Sequence, residues 1–175
     1  MYQVGDIIIY SSEGACRVES IEKLHVAGID CEKLYYNLNP VYHMGNIFVP
    51  LDTKIFMRPV IKPEEARRLI NLIPTIKVNL LDNMSRRSLE ELYNHHIQTH
   101  DCIDLIRVLK TVHDKGIAAA KDRKKLGAID ERFRKKAEDL LFGELALVLN
   151  MSKDEVKSYV DNKIQETGII EIAAV

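Results

Sequence analysis

Ser85-Arg86-Arg87 places two guanidinium groups directly behind a residue type that caps helices, and Leu89, Leu92, Tyr93, His96 and Ile97 then recur at helical spacing. Cations in a first turn face the positive end of the helix dipole and cost some tenths of a kcal/mol each. A helix start that accepts this cost is suited to a phosphate oxygen, since free backbone N–H groups and two planar forks converge on it. The competing account is that both side chains lie in solvent. Met84 precedes the cap, and with Leu89 at the fourth helical position it has the spacing of a hydrophobic staple.

A second cluster is basic. Residues 115–136 hold nine cations against three anions, and residues 137–175 hold three against eight, while the whole chain is close to neutral at −1. Lys121, Arg123, Lys124, Lys125, Arg132, Arg134, Lys135 and Lys136 can neutralise phosphates and make an interaction salt-dependent. A solvated face, or pairing with the acidic segment that follows, is the alternative. A third cluster, His95, His96, His100 and Cys102, has an i, i+4 histidine pair that invites a metal. Because His96 falls on the apolar stripe and no further ligand pair stands nearby, a structural histidine is expected, and no metal or cofactor is assigned. The chain has no glycine-rich phosphate loop, no Gly-x-Ser-x-Gly elbow and no supported Cys–His pair. Glu144, between Gly143 and Leu145, reads as a satisfied structural carboxylate, and an enzyme is not expected.

The elements that must position these groups change period near residue 59. Before it, Ile7–Tyr10 is β-branched and aromatic, Ser11–Gly14 carries turn residues, and Cys16, Val18 and Ser20 alternate with Arg17, Glu19 and Ile21, so a hairpin is predicted. A turn at Ala27-Gly28, a strand over Lys33–Leu38, and a strand over Ile47–Val49 closed by Pro50 follow. Four or five short strands with no helical period between them predict a small bent sheet or barrel with at least one usable edge.

After it, Pro63 begins a helix with acidic residues in its first turn, ending before Pro74. The Ser85 helix runs to about Thr99. A second runs from about Asp101 with Ile103, Ile106, Leu109, Lys110 and His113 on its face and Gly116 as its cap; a third spans about Asp130 to Leu149, with Phe133, Ala137, Leu140, Leu141 and Leu145 on one face. Ser152-Lys-Asp-Glu155 is a capping box that opens a last helix stopped at Gly168. The fold class is therefore α+β, with a β domain over residues 1–59, a helical domain over 60–168 and an unassigned apolar tail over 169–175. Neither a signal peptide nor a membrane span is expected. Three widely spaced cysteines fit a reducing cytoplasm.

Val4-Gly-Asp-Ile-Ile-Ile-Tyr10, Gly14-Ala15 with Val18-Glu-Ser-Ile-Glu22, the Tyr35-Tyr36 strand, Asn83-Met-Ser-Arg-Arg87 and Leu140-Leu-Phe-Gly-Glu-Leu-Ala-Leu147 occur in one order along the chain. In that order they resemble the CarD/CdnL family of bacterial transcription regulators. The resemblance implies a Tudor-like N-terminal domain that docks on the β subunit of RNA polymerase. It also implies a helical domain that touches promoter DNA near the upstream edge of the melted region and modulates open-complex stability. Met84 stands where the best-known members carry a tryptophan wedge, a minor-groove role open to methionine. By the same resemblance, Arg86, Arg87, Lys135 and Lys136 are DNA-binding candidates, and Leu24, Val26 and Phe48 fall at polymerase-binding positions. The implied location is the cytoplasm, at the nucleoid through polymerase. Two alternatives stay open: an adaptor that binds polymerase without DNA, and a metal or small-molecule sensor using the His-rich helix. Promoter choice, the sign of regulation and self-association are not readable from the residues.

Overall fold

The computed structural model describes residues 1–25, 30–78 and 84–173, with side chains described up to Glu166. The chain divides into two compact units, Met1–Val60 and Ile61–Val175. In the first, β1 (Ile7–Tyr10), β2 (Gly14–Lys23), β3 (Leu34–Pro40), β4 (Ile47–Pro50) and β5 (Met57–Pro59) form an antiparallel sheet in the order β4-β3-β2-β1-β5. Among the described residues the sheet is open, with β4 and β5 as its two edges. The chain turns from β1 into β2 through a short 3-10 turn at Ser11–Glu13, and Gly14 leaves that turn at φ 78°, ψ −139°, a conformation for which glycine carries no steric penalty.

One face buries Ile8, Tyr10, Cys16, Val18, Tyr36, Leu38 and Val49. Burial, reinforced by the charge of Glu13, pushes the Cys16 thiol up to about 11, so it serves as a core group without thiolate chemistry. The simple alternation expected along β2 holds only as far as Val18. Val18 pairs with Leu38 and Ser20 with Asn37, so Glu19 is an extra residue, a β-bulge. Beyond it the faces exchange, and Ile21 packs on the core rather than beside the exposed Arg17 and Glu19.

The second unit comprises α1 (Pro63–Leu72), a 3-10 turn (Ile73–Thr75), α2 (Arg86–Gln98), α3 (Cys102–Lys121), α4 (Ala128–Leu149) and α5 (Lys153–Ala173). Its core is continuous, from Ala66 and Ile70 on α1 through Tyr93, Ile106, Leu141 and Leu145 to Val156 and Val160 on α5. The capping box is present: Glu155 accepts from the Ser152 N–H at 2.8 Å, and Ser152 Oγ accepts from the Glu155 N–H at 3.2 Å.

Three expectations for this unit are corrected. α3 does not stop at Gly116 but runs through it to Lys121, and the stop is a Schellman motif: Arg123 takes φ 55°, its N–H reaches the Ala120 carbonyl at 3.0 Å, and the Lys124 N–H reaches Ala119 at 2.8 Å. The αL residue is an arginine, so the glycine signal pointed to the wrong place. The α5 backbone likewise continues past Gly168 to Ala173, since one glycine inside a helix costs only about 1 kcal/mol. On α3 the apolar face is centred on Cys102, Leu105, Ile106, Leu109 and Val112, leaving Ile103 37% exposed.

Candidate functional site

The start of α2 is held by Ser85, whose Oγ accepts from the Ser88 N–H at 3.1 Å. This leaves the N–H groups of the first two helical residues, Arg86 and Arg87, facing outward. Arg86 makes no ion pair among the described residues; Arg87 pairs with Glu91 one turn on at 2.9 Å, with both side chains mostly exposed. Such a pair is worth well under about 1 kcal/mol and is readily exchanged for another anion. Met84 is 38% exposed, while Leu89 is buried in the helical core. The staple spacing is thus present, and Met84 keeps a little over a third of its surface open to solvent.

On α4, Lys135 and Lys136 are both exposed and make no ion pair among the described residues. Two contacts tie this helix to α2. The Tyr93 hydroxyl donates to Asp130 Oδ1 at 2.8 Å, and Arg132 pairs with Glu90. The Tyr93 ring also lies 5.2 Å from that of Phe133, so the first turns of α4 pack on the middle of α2. Arg86 lies one turn before Glu90, and Lys136 lies one turn after Arg132, on the same helix faces. Lys135 and Lys136 thus lie within about one turn of Arg132, the residue that ties α4 to α2. Of the eight cations singled out in the basic segment, Lys124 pairs with Asp122, Arg132 with Glu90 and Arg134 with Glu131, leaving Lys121, Arg123, Lys125, Lys135 and Lys136 bare among the described residues. Arg132 was legible as a cation, but its role as a cross-link between α4 and α2 was not.

The His-rich helix shows a different arrangement from a ligand set. His96 Nδ1 is buried 3.1 Å from Asp104 Oδ1 without hydrogen-bond geometry, and Asp104 also accepts from Arg107 at 2.6 Å. Burial pushes the Asp104 carboxyl up, but Thr99, Arg107 and His96 outweigh it and hold it below the usual carboxylate range. No three His, Cys, Asp or Glu side chains among the described residues are grouped to hold a metal ion. Glu144, 1% exposed, accepts from the Ile61 N–H at 2.9 Å and the Cys102 thiol at 3.4 Å. Lys110, expected on an apolar stripe, is buried because its ammonium donates to the Ile73 and Ile76 carbonyls beyond the end of α1. Both groups tie segments of the helical core together.

The other candidate surface is the sheet edge. Antiparallel ladders alternate between residue pairs that exchange both backbone hydrogen bonds and pairs that exchange none. The Leu51 N–H to Leu34 carbonyl bond, 3.0 Å, sets this phase for β4: Val49 and Ile47 turn inward to β3, and Phe48 and Pro50 turn outward. Pro50 has no N–H to present, and its carbonyl is taken by the Thr53 N–H at 3.0 Å. Phe48 presents an N–H and a carbonyl, with its ring 44% exposed beside them. On β5 the Ser11 N–H to Phe56 carbonyl bond turns Met57 and Pro59 outward, and the Pro59 carbonyl accepts from Arg58 at 3.0 Å. Each edge thus places a proline at an outward position, where its missing N–H costs no ladder bond, and β4 keeps the more open run. Leu24 is only 9% exposed, so its side chain is withdrawn from the surface the resemblance assigns it. Val26 and the turn expected at Ala27-Gly28 lie outside the described residues, as does Asn83.

An N-terminal antiparallel sheet followed by helices defines an α+β protein. Residues 2–61 match the CarD-like/TRCF RID domain, so this chain carries a CarD-like, RNA polymerase-interacting domain in its sheet unit. No curated protein matches the chain at a significant level. No helix among the described residues is long and apolar enough to cross a membrane.

Proposed function

We propose that this chain is a non-enzymatic transcription regulator that docks on the β subunit of RNA polymerase through its sheet unit and contacts promoter DNA with its helical unit, near the upstream edge of the melted region, to modulate open-complex stability. The observation that carries the DNA half is the α2 tip: a partly exposed methionine, two exposed arginines and a capped helix start, in the same unit as two exposed lysines on α4 without an ion pair among the described residues. Guanidinium and ammonium groups supply phosphate contacts, and Met84 supplies the apolar group that can enter a minor groove beside them. The polymerase half rests on the domain match and on the free backbone pair at Phe48, which suits strand addition by a partner. Tethering through polymerase supplies a high effective concentration of DNA, so a small footprint of four cations suffices and affinity for DNA alone is weak.

The test is the lifetime of open promoter complexes of the cognate polymerase, with and without the protein, at one stated salt concentration. A changed lifetime that is lost in Arg86→Glu/Arg87→Glu, with polymerase binding retained, is the expected outcome. A lifetime effect that survives this charge reversal would overturn the DNA contact and leave a polymerase adaptor.

A further inference from the structure

We infer that the helical unit carries a binding pocket for a small amphiphilic monoanion, an alkyl or aryl carboxylate, between α3 and α5 over α4. A cavity of about 390 Å³ lies there, floored by Leu109, Val112, Gly116, Ala120, Leu126 and Ile164. Its volume falls in the range of pockets that enclose a small organic molecule, and its apolar floor with a few polar groups at the rim has the same character.

Gly116 is the feature the fold does not explain. It sits inside a twenty-residue helix, where glycine costs about 1 kcal/mol relative to alanine. It neither caps that helix nor makes room for a neighbour among the described residues, because a Cβ built on it meets none of their atoms within 4 Å beyond its own turn of helix. What a side chain there would fill is the cavity. With Ala120 one turn on, it keeps the floor of the pocket open at a position where any larger residue would improve the helix.

The rim selects the charge. Lys157 is committed within the rim, 2.7 Å from Glu138 and 3.9 Å from Asp161, and His113 lies 3.3 Å from the neighbouring Asp114. Arg134 is the lining cation whose partner, Glu131, is not itself part of the lining, and that pair is about half exposed on both sides. An exposed ion pair is worth at most about 1 kcal/mol, whereas a carboxylate held bidentately by a guanidinium at the mouth of an apolar cavity is a stronger, charge-assisted contact. Glu138 and Asp161 outnumber Lys157 on the rim, so Arg134 is the place on it where an anionic head can dock. One anionic head on Arg134 and one apolar body over Gly116 satisfy the pocket.

The experiment is an amide chemical-shift titration of the full chain with decanoate below its micelle-forming range, alongside decyltrimethylammonium, which has the same chain and the opposite head. Saturable shifts centred on Gly116, Ile117, Ala120, Leu126 and Arg134 are expected with decanoate at concentrations up to about 1 mM, and none with the cation. Gly116→Leu, which gains helix propensity while filling the cavity, abolishes the response. Arg134→Gln, at the surface, weakens it at least fivefold. The pocket assignment is overturned by an absence of saturable shifts, by an equal response to the cationic chain, or by decanoate binding unchanged in either variant.

Discussion

The α2–α4 pair has two regions that use the same kinds of residue in opposite ways. In one, Tyr93, Asp130 and Lys115 are drawn inside: Asp130, 5% exposed, accepts from the Tyr93 hydroxyl at 2.8 Å and from Lys115 at 2.5 Å, and Lys115 lies 6.0 Å from the centre of the Tyr93 ring. A charge removed from water must be met by partners, and here every partner is supplied within the unit. Even the backbone accommodates it, since a Cβ on Gly127 would come 2.9 Å from Asp130 Oδ2. In the other, Arg86, Lys135 and Lys136 have no such partners among the described residues. Charge satisfied internally ties the helices together; charge left unsatisfied elsewhere on the same two helices is available to something outside the molecule.

That contrast is broken most severely by Asp130→Ala. Removing the buried carboxylate leaves a partly buried ammonium and a buried hydroxyl without their partner, so a loss of about 2 kcal/mol in denaturant unfolding is expected. A loss below about 1 kcal/mol would mean that the network does not tie the helices together. Tyr93 tests the same region through pH. Burial, and then its bond to Asp130, raises the Tyr93 hydroxyl above the ordinary tyrosine value of 10.0. A raised folded value means the stabilisation is complete below about pH 10 and is lost as pH rises above it, because the unfolded tyrosine releases its proton first. The alkaline fall in stability should therefore be less steep in Tyr93→Phe than in the parent chain.

A smaller effect is expected at the α3 cap, where Arg123→Gly removes the penalty of a non-glycine residue at φ 55° and should raise stability by about 1 kcal/mol. The smallest belongs to the exposed tip. Arg86→Glu/Arg87→Glu should leave stability within about 0.5 kcal/mol, because anions suit a helix N-terminus while a carboxylate at position 87 would face that of Glu91. A variant that loses its promoter effect with so little change in stability would sharpen the division between the two regions; a large stability change would erase it.

Much of this was legible along the chain because local chemistry carried it. Pro63, the Ser85 cap and the Ser152–Glu155 box each act within one helical turn, and the helices begin where they say. Met84, Arg86, Arg87, Lys135 and Lys136, singled out partly through the family resemblance, are all exposed in the fold. The signals that failed were those whose local meaning is overridden at a distance or supplied by an unusual residue. Gly116 and Gly168 resemble stops, yet the real end of α3 is an arginine in the left-handed region. The bulge at Glu19 inverts the faces of β2 without any glycine to announce it.

The amino-acid order by itself determined the change of period near residue 59, the helix starts and the cationic character of residues 115–136, because propensity, capping and charge act over a few residues. Tertiary structure alone decided which cations remain bare, since Arg132 is spent on Glu90 and Lys115 on Asp130 while Lys135 and Lys136 are not. It also decided which edge is open, because the outward phase of Phe48 depends on a ladder that β3 and β4 form together. Pairing partners and ladder phase are properties of residues distant in sequence, and only the folded chain brings them within reach of one another.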